Sequence, residues 1–159
     1  MQITVTKKKF ILVGFEIVVD FDKGFSEEME WIQSELKRRM EIIGNKNLSA
    51  RLVGFWQPYQ AFTTIPNPAG SSKAKYFFGV EMSSLDGVQS DFVVKVVPES
   101  EYAVYRENKR GTAPKKEMYT VSGYAPNHEI AGDFEIFDDF GHLGVNDPCD
   151  ILVPIKLVT

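Results

Sequence analysis

A carboxylate inside an apolar run is a chemical group in an unusual place, and this chain carries one in DFEIFDDFG, residues 133 to 141. Glu135 is crowded by Phe134, Ile136 and Phe137. On the polar side of a strand it is a solvated decoration. Aimed into an apolar cavity it is an acid whose pKa rises unless a cation or hydrogen-bond donors hold its charged form. Strand alternation places Glu135 on one face with Asp133 and Phe137, and Phe134 with Ile136 on the other. That pattern alone sends Phe134 and Ile136 to the core and Glu135 to water. Glu81, in KYFFGVEM, is a second acid in an apolar strand, and Ser83 and Ser84 beside it suggest an exposed strand end.

Other reactive groups are sparse. Cys149 is the single cysteine, which excludes an intramolecular disulfide and a cysteine-rich zinc site and fits a reducing compartment. His128 and His142 lie in loop-like stretches without metal-ligand spacing, so neither a metal nor a cofactor is expected. No Ser-His-Asp set is visible. The net charge of -4 and pI near 5.3 repel polyphosphate and anionic lipid, so nucleic acid is not an expected direct partner. The short basic clusters Lys7-Lys8-Lys9, Lys37-Arg38-Arg39 and Lys115-Lys116 read as solvated surface. No apolar run approaches the roughly 18 residues of a membrane span and no leader opens the sequence, which gives the expectation of a soluble, cytoplasmic protein.

The elements that must hold Glu135 follow from patterning. A chain of 159 residues suits one domain over 1–159, which buries roughly two-thirds of its unfolded surface. Its 12 Phe, 6 Tyr and 2 Trp must fill a core or line something concave. FILVGFEIVVDF (10 to 21) reads as a long or bent strand, with Gly14 marking a bulge. GFSEEMEWIQSELKRRMEIIG (24 to 44) carries Phe25, Met29, Ile32, Leu36, Met40 and Ile43 on one stripe and predicts a helix, Ser26 its N-cap and Gly44 its stop. Trp31, Glu35, Arg38 and Ile42 run down its flank, a line that a loop or a protein partner would cover.

Further strands are expected at 50–56, 75–82, 91–97, 101–107, 118–124, 134–140 and 150–157, separated by turn formers. The Pro- and Ser-rich stretch 62–73 reads as a lid or crossing connection. The order suggests two β-α-β-β units, the second with its helix shortened or absent around NKRGTAPKKE (108 to 117).

Within that order, FILVGFEI, YFFGVEM, VVPESEYAVYRENKRG, VSGYAP, DFEIFDDFG and DILVPIKL together resemble the GyrI-like small-molecule-binding domain, also called the AraC effector-binding domain. The resemblance runs from about residue 5 to 157. It implies an α+β fold in which two pseudo-symmetric β-α-β-β units form a curved antiparallel sheet around a central cleft. It also implies that Glu135 points into that cleft and that Tyr105 and Tyr124 line it. The chain departs from the family pattern in its short second helix and in showing no helix-turn-helix segment before the domain.

A cleft of that kind binds hydrophobic, cationic or aromatic compounds, and aromatic faces attract cations by roughly 0.5 to 2 kcal/mol each. Trp56, Tyr59, Phe78, Tyr105, Tyr124 and Phe137 are the candidate lining, with Glu135 and secondarily Glu81 as acids. Phe78 has ordinary core as its alternative and Tyr59 a turn decoration. The sequence thus points to a stand-alone binding protein for hydrophobic cations or aromatics. Two alternatives stand beside it. One is hydrolysis of electrophiles by Glu135 with Tyr105 or Tyr124. The other is a regulatory module linked to transcription or topoisomerase control, docking a protein partner through Trp31 and Ile42 or forming a homodimer.

Overall fold

The computed structural model describes residues 2–43, 51–58, 73–130 and 132–158. Among the described residues, seven strands and two helices follow one another as β1 (Thr4–Asp20), α1 (Ser26–Arg39), β2 (Leu52–Pro58), β3 (Lys73–Glu81), β4 (Val93–Glu107), α2 (Lys115–Tyr119), β5 (Tyr124–Pro126), β6 (Asp133–Phe137) and β7 (Cys149–Leu157). A short 3-10 turn, Met40–Ile42, extends α1. All strand pairings are antiparallel.

The sheet order is β4-β1-β3-β2-β6-β7-β5, and β4 also pairs with β7. That extra pairing closes β1, β3, β2, β6, β7 and β4 into a ring. The long β1 makes closure possible, because residues 12–20 pair with β3 while residues 4–14 pair with β4. The expected pseudo-symmetry is visible in the ring. The first unit contributes β1-β3-β2 and the second β4-β7-β6, joined by the pairs β1–β4 and β2–β6.

A closed sheet has an inside and an outside, and here both are apolar. Inside, Phe10, Leu12, Val53, Phe55, Phe77, Tyr102, Phe134, Ile136 and Leu152 form one buried cluster. The Phe134 ring stacks between Phe10, at 4.3 Å, and Phe55, at 4.1 Å. Ion pairs cover the two mouths: Lys95–Glu16 (2.6 Å) at one end, and Lys8–Glu81 (2.5 Å), Arg51–Asp150 (2.8 Å) and Arg106–Asp138 (2.6 Å) at the other. Outside, Val13, Phe15, Val19, Tyr76, Phe78, Phe137, Cys149 and Ile151 meet Ile32 and Leu36 of α1 and Met118 of α2.

Several local expectations change. The strands expected at 91–97 and 101–107 are one strand, β4, whose irregularity opposite Lys8 and Phe10 is the observed register shift. Gly14 is not a bulge. It pairs with Gly79 where the strands approach so closely that a side chain would strike the Phe78 carbonyl. Residues 118–124, expected as a strand, hold the end of α2, a turn and the first residue of β5. Met118, fully buried against the barrel's outer face, and the Ala113 N–H, held by Glu107 at 3.0 Å, fix that turn of helix. Ser26 is the first residue of α1 rather than its cap, since Phe25 holds the cap position without a side-chain bond. Gly44 and the stretch 62–73, apart from Lys73, lie outside the described residues.

Candidate functional site

Glu135 projects from β6 on the barrel's outer face, opposite Gly54 on one side and Ile151 on the other. Phe15, Phe78, Gly54, Glu135, Ile151 and Tyr105 form one row across six paired strands. Gly54 matters in that row. A side chain there would collide with the Tyr76 hydroxyl, so its absence lets the Tyr76 ring lie beneath the site. One register step away, Tyr76, Trp56 and Asp133 are cross-strand partners.

Both oxygens of Glu135 are engaged. The Trp56 indole donates to Oε1 at 2.6 Å, and the Arg110 guanidinium pairs with Oε2. The same guanidinium lies over the Phe137 ring, with its carbon 4.3 Å from the centroid. The Glu135 side chain is 13% exposed and that of Arg110 23%, so the pair is largely withdrawn from water. The neighbouring Asp133 accepts from Tyr119 and pairs with Lys115 at 2.5 Å. Burial, then the carboxylate it serves, raises the Tyr119 pKa and keeps the phenol a donor.

Two hollows meet at Trp56 and Asp133. The larger, about 820 Å³, is lined chiefly by apolar surface from Phe21, Trp56, Tyr119, Pro126, Ile130 and Pro154, with Gln57, Lys116, His128 and Asp133 among its polar points. The smaller, about 240 Å³, holds Glu135, Glu107, Trp56 and Ile151. Trp56 is the shared wall, wedged against Tyr76 (4.4 Å between centroids) and stacked on Phe21 at 5.9 Å. Glu135 therefore opens into the small hollow, and Asp133 into both.

The remaining sequence candidates are dispersed. Phe78 is fully buried and Phe137 nearly so, and neither lines either hollow. Tyr105, half-buried on the same face, borders a separate hollow with Arg106 and Asn108. Tyr124 is half-buried on β5, and burial followed by its bond to Glu101 raises its pKa. Glu81 faces the barrel mouth, paired with Lys8. Tyr59 lies outside the described residues.

Sequence reasoning missed Arg110, Asp133, Phe21 and Tyr119. Asp133 was accessible through its period-2 relation to Glu135. Arg110 was not, because a loop residue reaches its partner only through the fold.

Glu107, Glu135 and Cys149 bring one ligand atom each within 4.8 Å of one another, a grouping that could meet a metal ion. Burial pushes the Cys149 thiol up to about 11, so it keeps its proton at neutral pH, and Arg110 already supplies positive charge there. Glu107, 2% exposed, is held by the Ala113 N–H and by the thiol at 3.8 Å.

Solved structures share this arrangement of strands. SAV2435 bound to tetraphenylphosphonium aligns with a TM-score of 0.61 at 16% identity, covering 98% of this chain and 94% of that one. The EcmrR C-terminal domain aligns at 0.62 and 11% identity, covering 99% and 98%. The integron cassette protein VCH_CASS2 of Vibrio cholerae aligns at 0.52 and 10% identity, covering 97% and 95%. No curated protein sequence matches significantly. The family model described as Cass2, integron-associated effector binding protein, matches residues 4–155. With nearly the whole barrel inside that match, the chain belongs to the Cass2 family of integron-associated effector-binding proteins.

Proposed function

We propose that this chain captures hydrophobic aromatic compounds, cationic ones above all, in the hollows that share Trp56 as a wall, with Asp133 facing both and Glu135 facing the smaller as their negative charges. The observation that carries the reading is the Trp56 indole, which forms the wall of an apolar hollow of about 820 Å³ while its N–H grips a carboxylate at 2.6 Å. That volume suits a drug-sized guest, for which sites of roughly 300 to 1,000 Å³ are usual. Phe21 and Tyr119 add ring faces, and a cation over such faces gains roughly 0.5 to 2 kcal/mol at each. SAV2435, of the same fold, is described with a phosphonium of this chemical type. Phe78 is packed in the core and does not line the hollow.

Hydrolysis by Glu135 is the weaker reading, since the Trp56 indole and Arg110 each already engage one of its oxygens and an attacking water would have to share them.

Fluorescence tests the proposal. In a Trp31→Phe background Trp56 is the single tryptophan. Titration with tetraphenylphosphonium is expected to give saturable quenching, and triphenylphosphine oxide, neutral and of similar shape, a weaker response. Absence of saturable change with either compound overturns the proposal.

A further inference from the structure

The protein's own cation already sits where a cationic guest would be drawn. Arg110 makes both contacts that a lipophilic cation would seek, a carboxylate oxygen of Glu135 and the face of Phe137, 4.3 Å from its centroid. From this geometry we infer that Arg110 is a tethered competitor, a specificity-determining residue that a cationic guest must displace to reach Glu135. The inference rests on the binding role proposed above and adds the term that sets cation affinity.

Three observations make Arg110 displaceable instead of a fixed strut. Its loop is held without the guanidinium. The Arg110 backbone N–H bonds to the Val145 carbonyl at 2.8 Å, Thr112 N–H to Lys109 O at 3.3 Å, and Ala113 N–H to Glu107 at 3.0 Å. The side chain is itself 23% exposed, so it has a path to water. Trp56 keeps its own bond to Oε1 whichever cation serves Oε2, so Glu135 stays oriented during the exchange. The hollow beside the acid, about 240 Å³, lies below the size of ordinary ligand sites, so a guest that reaches Glu135 needs room beyond it.

The competition is electrostatic. A guest cation that replaces the guanidinium must offset the loss of a partly desolvated ion pair and of one cation–ring contact. Neutral aromatics that rest on Trp56 and Phe21 without approaching Glu135 face no such cost. The wild-type chain therefore discriminates less between cationic and neutral guests than its acids alone would dictate.

Arg110→Met tests this, because methionine keeps an apolar stem over Phe137 and removes the charge. In the Trp31→Phe background the variant is expected to bind tetraphenylphosphonium at least tenfold more tightly, while its affinity for triphenylphosphine oxide changes less than twofold. Unchanged or weaker phosphonium binding by a folded variant, when the parent does bind, overturns the competitor role alone. Failure of both proteins to bind either compound overturns this role together with the binding proposal. Should the variant not fold, the side-chain Nε–H signal of Arg110 in the parent protein decides. Saturating phosphonium is expected to shift it toward the solvent-exchanging position of a free arginine, and an unmoved signal in the saturated complex overturns the inference.

Discussion

Trp56 and Glu135, 79 residues apart in the chain, are joined by an indole N–H to carboxylate bond of 2.6 Å across the β2–β6 pair. The bond is diagonal, since the residue directly opposite Glu135 is Gly54. With no side chain at Gly54 to intervene, the indole reaches one step along the strand to the acid. Its ring remains to form the wall of the hollow.

That relationship separates the two halves of the binding proposal. Glu135→Gln keeps a carbonyl oxygen for the indole but removes the charge. Tetraphenylphosphonium affinity is expected to fall about tenfold, which corresponds to about 1.4 kcal/mol, with triphenylphosphine oxide unaffected. The same substitution strands the largely buried Arg110, so the melting temperature is expected to drop as well. Calorimetric binding and thermal melts on one preparation check both arms; equal loss of the neutral compound would deny Glu135 a charge-specific role.

Phe134 faces the barrel interior, fully buried, with rings stacked on both sides. Phe134→Ala opens a cavity that the closed sheet cannot collapse into, and about 3 to 5 kcal/mol of stability is expected to be lost. Urea denaturation gives the number. A loss below about 1 kcal/mol would mean that the inner cluster is not a packed core.

Cys149 offers a pH signature. Its thiol is fully buried, and burial pushes its pKa from 9.0 up to about 11. The raised value means that the native state favours the protonated thiol. Its stabilising contribution is complete below 9.0 and is lost as pH rises toward about 11. The stability difference between the parent and Cys149→Ala is therefore expected to shrink over that window. A difference independent of pH would contradict the assignment. At pH 8 a thiol-labelling reagent should react at a rate that follows unfolding.

His142, at the surface, is also shifted upward, by a charged partner instead of by burial. The hydrogen bond to the Asp139 carboxylate, 2.6 Å from Nδ1, and then the charge of that carboxylate raise the pKa above the ordinary 6.5. Proton NMR titration is expected to place the His142 midpoint above that value, and Asp139→Asn to lower it. Equal midpoints in the two proteins would show that the contact does not persist in solution.

Much of this architecture was legible in the chain. The three-and-four spacing of Met29, Ile32 and Leu36 specifies α1, because apolar residues at that period can share a face only in a helix. The apolar runs specify β1, β3 and β7, and their order, with the resemblance they carry, specifies paired β-α-β-β units. Alternation correctly separated Glu135 and Phe137 from Phe134 and Ile136. It gave no sign that the Glu135 side is also covered, because period 2 distinguishes two faces without saying what packs on either. Closure of β4 onto β7 decided that, turning one face into a barrel interior and leaving the other to α1, α2 and the Arg110 loop. Arg110 lies 25 residues from Glu135 in a loop whose local sequence has no periodicity, and its charge acquires meaning only where the fold sets it down. Side-chain pattern is a local property and was read locally. Which cation meets which acid is a matter of through-space distance, and only the tertiary structure sets those distances.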